Sequence, residues 1–249
     1  MPQQSRRVSI ISPAYNAAKT VQATIDSVLA QTHEDWEMLI ADDCSRDRTI
    51  EIVEACCQRD SRINLFCNPE NLGPAGTRNR LLEQAGGRFI AFLDTDDRWL
   101  PQKLEKQLAA LEETGAAICC TGYTRKFSDK RIELVPPPRI GYEDLLKSNH
   151  VPMLTALVDR DKTGDFSFEI KGHEDYQLWL NLTRSGNEVV TVQEILAEYN
   201  AGIGTGSLSG NKWKAARWHW DIMSKEPIPF PRKLLNFGHY MIRGLRKNV

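Results

Sequence analysis

Three carboxylates in a stretch of four residues follow an apolar segment, and their spacing suits a divalent cation. Asp94, Asp96 and Asp97 come after Phe89–Leu93, which has the length and composition of a buried strand. Clustered like charges repel one another and are costly to desolvate. Mg²⁺ or Mn²⁺ would relieve that cost, and could carry a phosphorylated ligand at the end of a parallel strand. The alternative is a solvated acidic turn before the next helix.

A second acidic pair, Asp42 and Asp43, ends the predicted strand Trp36–Ala41. Ligands of open α/β sheets bind at the carboxyl ends of the strands, so this pair has the same placement as the first cluster. A carboxylate there can accept a hydrogen bond from the imide N–H of uracil or from a ribose hydroxyl. Alternatively, these aspartates and Asp47 cap the helix that follows.

Arg78 lies just after a glycine-containing turn, Asn71–Gly76, which leads into a predicted helix. Its guanidinium offers a fork of donors to a phosphate or to an acidic strand end. A purely structural partnership with Asp43 or Asp94 fits the same position.

Glu174 and Asp175 open another predicted helix. The helix dipole stabilises acidic residues in a first turn, which is sufficient reason for their presence. The same dipole would keep Asp175 ionised, as a general base that takes a proton from a hydroxyl must be. Trp179, one turn later, fits either the core or a sugar-stacking wall, and the core is favoured.

Strand-like and helical segments alternate over the first 125 residues, which predicts a parallel, doubly wound α/β sheet with helices on both faces. The predicted strands are Val8–Ser12, Trp36–Ala41, Ile63–Cys67, Phe89–Leu93 and Ala117–Tyr123. The predicted helices are Ala18–Gln31, with Val21, Ile25, Val28 and Leu29 on one face, then Thr49–Cys57, Ala75–Ala85 and one opened by Pro101 with Leu104, Leu108 and Leu111 buried.

The pattern changes after Thr124, and no sharp domain boundary precedes about residue 205. The predicted elements are a hairpin at Lys126–Leu134, a proline connector, a short helix at Tyr142–Lys147, a strand at Val151–Val158, a helix at Glu174–Arg184 and a short strand at Val189–Val192. Residues 206–249 are predicted to form a flexible glycine-rich loop and a basic, aromatic tail of two helices divided by prolines.

Charge is distributed unevenly along the chain. Net charge is −1 overall, but residues 211–249 hold nine Lys and Arg against two Asp and Glu, which leaves −8 for the rest. A basic amphipathic tail can lie on an anionic membrane, and it can equally pack its aromatic residues against the rest of the chain. The acidic body disfavours nucleic acid as a partner.

The compartment expected for this chain is a reducing cytosol, with the tail's membrane contact making it peripheral on the inner face of the membrane. The six cysteines include two adjacent pairs and no paired C-x-x-C, which suits neither zinc nor a disulfide framework. The polar start of the chain predicts no signal peptide, and no run approaches the roughly 20 apolar residues of a membrane span.

Taken in order, these motifs resemble an inverting family 2 glycosyltransferase with a GT-A-type, Rossmann-like nucleotide-diphospho-sugar fold. The resemblance covers about residues 7–205 and is carried by Val8–Asn16, Ser27–Thr32, Asp42–Asp47, Asn71–Asn79, Asp94–Asp97 and Glu174–Leu180. One departure is Cys44, where the family usually has Gly or Asn. Under this resemblance residues 1–205 form the catalytic domain, with a nucleotide-sugar half at 1–125 and an acceptor half at 126–205.

The resemblance also implies roles for individual residues. The metal-binding residues would be Asp94 and Asp96 of the D-x-D, together with Asp97 beside it, and Asp175 would be the catalytic base. The residues implied to contact the nucleotide-sugar are Pro13, Tyr15, Asp43, Arg78, Asp94 and Thr95.

The implied reaction is metal-dependent inverting transfer of a sugar from a nucleotide-diphospho-sugar, a UDP-sugar by family habit, to a hydroxyl of a glycan or lipid-linked saccharide in cell-surface polysaccharide synthesis. A sugar-nucleotide pyrophosphorylase is the first alternative, but Val8–Thr20 lacks the glycine-rich loop such enzymes need. A non-catalytic member of the fold is the second, and the intact acids count against it.

Overall fold

A computed structural model describes residues 6–170, 174–201 and 212–246 of the 249-residue chain. The strands within them are β1 (Val8–Ala14), β2 (Trp36–Asp42), β3 (Ile63–Cys67), β4 (Phe89–Phe92), β5 (Arg98–Trp99), β6 (Ile118–Lys126), β7 (Arg131–Leu134), β8 (Arg139–Ile140), β9 (Leu157–Asp159) and β10 (Val189–Asn200). These ten strands form one mixed sheet with the order β3-β2-β1-β4-β9-β6-β10-β5, while β7 pairs with β6 and β8 with β10.

Helices cover both faces of this sheet, as predicted. The helices are α1 (Val21–Leu29), α2 (Thr49–Cys57), α3 (Gly73–Gln84), α4 (Lys103–Thr114), α5 (Tyr142–Leu145), α6 (Arg160–Thr163), α7 (Glu174–Arg184), α8 (Lys212–Lys225) and α9 (Phe230–Arg246). Alternate strand residues supply the two cores: Ile10 is buried with residues of α1, α2 and α4, and its neighbour Ile11 with residues of α3, α5 and α7.

The four strands β3, β2, β1 and β4 are mutually parallel, which aligns their carboxyl ends. Ala14 at the end of β1 lies opposite Asp42 at the end of β2. On the other side of β1, Leu93 continues from β4 and donates its N–H to the carbonyl of Ile11. The acidic residues that follow β2 and β4 therefore emerge at one edge of the sheet, as the sequence predicted.

The predicted strand Val151–Val158 is wrong over most of its length. Residues Met153–Thr155 form a 3-10 turn after Pro152, whose carbonyl accepts a hydrogen bond from Thr155 N–H. Only β9 is extended, and it is antiparallel to both β4 and β6. Proline cannot donate to a strand ladder, which accounts for the interruption.

Some boundaries also differ from the predictions. α1 is shorter at both ends than the predicted helix, and its Leu29 is exposed rather than buried. β10 extends far beyond the predicted Val189–Val192, as a bulged strand parallel to β6 that continues to Asn200. The hairpin at Lys126–Leu134 is confirmed as the antiparallel pair β6–β7. Short elements β5, β8 and α6 were not predicted.

The predicted pair of tail helices is present as α8 and α9, separated by the proline-containing segment 226–229. α8 packs against α5 and α7: Met223 is fully buried, and the ring of His219 stacks on that of Tyr176 with centroids 5.0 Å apart. Glu226 accepts hydrogen bonds from Arg184 and from the hydroxyl of Tyr142. The packing alternative for the tail is therefore realised along α8.

The described helices include none that combines the length and apolarity required to cross a membrane. All six cysteines are free thiols. Trp179 is fully buried and donates from Nε1 to the carbonyl of Val151, so it belongs to the core as favoured. The glycine-rich loop predicted to begin at residue 206 lies outside the described residues, which resume at Lys212.

Candidate functional site

The acidic run after β4 forms a tight turn. Asp97 donates its backbone N–H to the carbonyl of Asp94 over 3.0 Å, and this folds the carboxylates of the turn close together. Asp96 is half-buried and receives no side-chain hydrogen bond or ion pair from any other described residue. Burial, and then the neighbouring Asp94 charge, raise the pKa of Asp96 to about 6. A cation would stabilise its ionised form.

Asp97 has a different environment from the other two acids of the turn. Its side chain is almost completely buried, and Oδ1 accepts the backbone N–H of Asn200 at 2.9 Å. Burial and the two neighbouring aspartates raise its pKa well above the ordinary value. The side chain of Asn200 in turn donates to the carbonyl of Asp96. Asp97 therefore fastens the end of β10 to the acidic turn.

Arg78 on α3 joins the acidic turn to the start of α7. Its Nη2 donates to Asp94 Oδ1 at 2.6 Å, and its Nη1 donates to Glu174 Oε1 at 3.1 Å. Burial alone would lower the pKa of this guanidinium, but Asp94 and Glu174 together hold it above its ordinary value. The structural partnership with Asp94 is thus present, and Glu174 is a second partner that the sequence analysis did not pair with it.

Asp43, directly after β2, accepts hydrogen bonds from the segment that leads into α3. Oδ1 accepts from Asn68 Nδ2 at 2.7 Å and from the N–H of Leu72 at 2.8 Å, and Oδ2 accepts from the N–H of Gly73 at 2.9 Å. A carboxylate has about four acceptor positions, so roughly one remains for a ligand. Asp47, which precedes the N-cap residue Arg48, accepts the N–H of Thr49 at the start of α2 at 3.0 Å.

The remaining residues implied to contact the nucleotide lie around the same opening. Pro13 and Tyr15 line the cleft on one side, and Tyr15 is exposed at its rim. Thr95 is buried and donates from its hydroxyl to the carbonyl of Pro13 at 3.3 Å. Cys44 has a φ of +66°, and this left-handed conformation is one that Gly and Asn adopt most readily. Backbone geometry thus accounts for the residue types usual at that position.

Asp175 in the first turn of α7 faces the same cleft as the acidic turn. Its Oδ2 accepts from Asn149 Nδ2 at 2.9 Å, and its Oδ1 accepts the N–H of Tyr176 at 2.7 Å. These contacts orient the carboxylate while leaving further acceptor positions on it. Asn149 carried no sequence signal, because it lies in a short loop and reaches Asp175 only through tertiary packing.

One cleft of about 1090 Å³ brings the predicted site residues together. Its lining includes every predicted site residue, among them Asp43, Arg78, Asp96 and Asp175. Residues that the sequence analysis did not place in a site also line it: Asn149, Trp218, Tyr123, Arg125 and Tyr199. Trp218 comes from α8, so the tail contributes to the wall of the cleft.

The donor atoms of the acidic turn fit a hard divalent cation that shares its coordination with a phosphate. No ready-made cage of three His, Cys, Asp or Glu side chains occurs within the part of the chain that the structure describes. Mg²⁺ is commonly held by only one or two carboxylates together with substrate phosphates. Asp96 and the second oxygen of the partly exposed Asp94 could supply these, whereas Asp97 is almost completely buried and its Oδ1 accepts from Asn200.

Comparison with known proteins places the chain among glycosyltransferases. Residues 9–167 match the model described as Glycosyl transferase family 2. The putative teichuronic acid biosynthesis glycosyltransferase TuaG of Bacillus subtilis (strain 168) is 38% identical over 97% of both chains. The UDP-Glc:alpha-D-GlcNAc-diphosphoundecaprenol beta-1,3-glucosyltransferase WfgD of Escherichia coli is 37% identical over 97% of this chain and 95% of its own.

Solved structures agree on the fold. Staphylococcus aureus TarS 1-349 in complex with UDP-GlcNAc superposes with a TM-score of 0.74 at 19% identity, over 94% of this chain and 71% of that one. The mannosyltransferase PcManGT from Pyrobaculum calidifontis, in complex with GDP-Man and Mn²⁺, gives 0.67 at 16% identity, over 96% and 69%. At these identities the likeness concerns the fold alone, which is of the GT-A type. The chain belongs to glycosyl transferase family 2 and is a glycosyltransferase.

Proposed function

We propose that this glycosyltransferase transfers a sugar, with inversion, from a UDP-sugar to a hydroxyl of a lipid-linked saccharide during cell-surface polysaccharide synthesis. The observation that carries the proposal is the shared cleft, in which the carboxylate of Asp96, without a side-chain partner among the described residues, and the oriented carboxylate of Asp175 both lie. WfgD uses UDP-Glc and a GlcNAc-diphosphoundecaprenol acceptor by name, and TuaG is named for teichuronic acid biosynthesis, which supports this donor and acceptor class.

The acidic turn is the donor side of the proposed site. Asp96 and Asp94 would hold Mg²⁺ or Mn²⁺, which when bound neutralises charge on the departing diphosphate. Arg78 keeps Asp94 in place through its 2.6 Å contact, and Asp97 keeps the turn closed through Asn200. Pro13, Tyr15, Thr95 and the remaining acceptor position of Asp43 would receive the nucleoside.

Asp175 is the proposed general base on the acceptor side. Its carboxylate would accept the proton of the acceptor hydroxyl, and the resulting oxygen nucleophile would attack the anomeric carbon from the face opposite the departing diphosphate. Asn149 holds Oδ2 of the carboxylate in position for that transfer. Attack from the opposite face inverts the anomeric configuration, so an α-linked donor would give a β-linked product.

The tail would place the enzyme at the surface that carries a lipid-linked acceptor. α9 packs on α8 through two ring contacts. The ring centroids of Tyr240 and His219 lie 3.7 Å apart, and Phe237 contacts Trp220. Its outer side leaves large apolar residues exposed beside the basic Arg232 and Lys233, an arrangement suited to an anionic membrane. The exposed fractions are 63% for Phe230, 49% for Leu234, 69% for Leu235 and 37% for Met241.

The direct test is transfer by the purified chain with UDP-glucose, Mn²⁺ and a synthetic GlcNAc-diphospho-lipid. We expect a β-linked disaccharide, identified by the proton coupling at the new anomeric carbon. Asp175→Asn should bind the donor as the wild type does but transfer about 10²–10⁴-fold more slowly, the usual contribution of a general base. Asp165→Asn, an exposed change that does not line the cleft, is the matched control. An α-linked product, or unchanged transfer by Asp175→Asn, would contradict the mechanism.

A further inference from the structure

The cleft contains a cation, Arg125 on β6, that has no role in the proposed reaction. It is opposite Tyr199 in the parallel pairing of β6 with β10, and Tyr123 is opposite Ala197. Alternate residues of a strand share a face, so Tyr123 and Arg125 point the same way. Tyr123, Arg125 and Tyr199 all line the cleft, and together they form what we call the β6–β10 wall.

The guanidinium of Arg125 has no hydrogen bond or ion pair with any described residue, and its Nε is buried without an acceptor. Glu198, which precedes Tyr199 on β10, is already bonded to Lys126. Aromatic rings flank it instead: its Cζ lies 4.9 Å from the ring centroid of Phe127 and 5.8 Å from that of Tyr199. Aromatic contacts fix a guanidinium without using its donors, which leaves the fork available.

The β6–β10 wall lies on the far side of the acidic turn from the proposed nucleoside pocket. In the sheet order, β4 and its acidic turn stand between β1 and β2 on one side and β6 and β10 on the other. Asn200, next to Tyr199, is bonded to Asp97 of that turn. Arg125 is therefore placed toward the sugar and acceptor end of the cleft, away from Asp43.

We propose that Arg125 is the anion-binding residue of a subsite on the β6–β10 wall, which takes a phosphate or carboxylate group of a substrate. A guanidinium without a hydrogen bond or ion pair to the described part of the chain suits either group, because it offers parallel donors to two oxygens. The subsite rests on the proposed function and extends it: the anion is the diphosphate of the acceptor or a carboxylate on the transferred sugar. The competing explanation is that Arg125 only offsets the charge of the aspartates in the turn.

Inorganic pyrophosphate tests the subsite without requiring transfer. Its affinity for the metal-free chain would be measured by calorimetry for the wild type, for Arg125→Gln, and for Lys126→Gln, which removes a charge from the next residue of the same strand. We expect about tenfold weaker binding in Arg125→Gln, as for the loss of a charge-assisted contact, and wild-type binding in Lys126→Gln. Equal affinity in all three proteins, or no binding by the wild type, would overturn the subsite.

A second measurement separates the subsite from a mere counter-charge. If Arg125 only offsets the acidic turn, Arg125→Gln will change the Mn²⁺ affinity and leave the pyrophosphate affinity unaltered, and that result would also overturn the proposal.

Two further arms identify the source of the anion. A rise of about tenfold in KM of Arg125→Gln for a sugar-diphosphate acceptor, but not for a neutral glycoside of the same sugar, assigns the subsite to the acceptor. Loss of UDP-glucuronate binding with UDP-glucose binding intact assigns it to a donor carboxylate. Wild-type behaviour of the variant in both arms counts against the subsite. Absence of transfer by the wild type refutes the proposed function but leaves the pyrophosphate result standing.

Discussion

Arg78 and Asp94 are joined by a 2.6 Å contact between Nη2 and Oδ1, and the arginine is almost fully buried. Through its second contact, with Glu174, the same guanidinium ties α3 to both the donor side and the base side of the cleft. Removal of one partner from a buried ion pair leaves an uncompensated charge, which is far more costly than the pair itself is favourable.

Arg78→Met should therefore lower the free energy of unfolding by about 3–5 kcal/mol, measured by urea denaturation. The matched control is Arg48→Met, which breaks an exposed pair with Glu51 and should lower the free energy of unfolding far less than Arg78→Met does. Equal losses in the two variants would show that Arg78 does not organise the site.

Changing Asp96 and Asp97 to asparagine, one at a time, should affect Mn²⁺ affinity very differently. Asp96→Asn removes the carboxylate that is free for a cation and should weaken Mn²⁺ binding strongly. Asp97→Asn keeps an Oδ1 acceptor for the N–H of Asn200 and removes a buried like charge, so it should retain Mn²⁺ affinity within a few-fold and stabilise the metal-free protein at neutral pH. Calorimetric titration with Mn²⁺ checks both. Equal loss of binding would make Asp97 a direct ligand, as the sequence resemblance implies.

The raised pKa of Asp96, about 6 against an ordinary 3.8, gives the metal affinity a defined pH dependence. Protons and Mn²⁺ compete for this carboxylate, so the affinity should be constant above about pH 7 and fall up to tenfold per unit below about pH 6. The folded state also binds more protons than the unfolded state between the two pKa values. The contribution of Asp96 to the stability of the metal-free protein should thus decrease by about 2–3 kcal/mol as pH rises through that window.

Mn²⁺ affinity and the free energy of unfolding should each be measured for the wild type and for Asp96→Asn between pH 4 and 8. The difference between the two proteins isolates the contribution of Asp96 to each quantity. Lowered pKa values elsewhere, such as that of Asp60 beside Arg62, act in the opposite direction at lower pH and cancel in the comparison. A pH-independent difference between the two proteins would refute the assignment.

The sequence was sufficient to predict the edge at which the site forms. Parallel strands align their carboxyl ends, so the acids that follow β2 and β4 lie at the same edge of the sheet. Asp175 lies in the first turn of α7, where the helix dipole stabilises an acidic residue. Each of these placements follows from a pattern that spans only a few residues.

The other residues of the cleft depend on long-range packing that no local pattern encodes. Asn149 and Asp175 are 26 residues apart in the sequence, and their hydrogen bond joins a loop to the first turn of α7. Trp218 lines the cleft because α8 stacks on Tyr176, far earlier in the chain. The hydrogen bonds of Asp43 could not be predicted either, because their donors are mainly backbone N–H groups of a turn, which no side-chain pattern reveals.

Cys44 provides a test of backbone strain beside the nucleoside pocket. At a φ of +66°, a β-branched side chain is strongly disfavoured, whereas asparagine adopts this conformation with little cost. Cys44→Val should lower the free energy of unfolding by roughly 1–3 kcal/mol, and Cys44→Asn should be within about 1 kcal/mol of the wild type. Cys57→Val, inside α2, controls for the loss of a thiol. Equal stability of the two Cys44 variants would show that the strain is relieved elsewhere.

The exposed side of α9 should bind anionic membrane through apolar contact assisted by charge. The full-length chain is expected to sediment with vesicles rich in phosphatidylglycerol, to do so less as salt increases, and to stay in solution with neutral phosphatidylcholine vesicles.

Leu235→Glu places a charge in the exposed apolar area and should weaken binding about tenfold or more, because a buried leucine is worth about 1.5–3 kcal/mol. Leu134→Glu, on β7, makes the same change at another exposed leucine and should have no effect. If both variants sediment as the wild type does, α9 is not the membrane contact; if the wild type itself stays in solution, the tail serves only to build the wall of the cleft through Trp218.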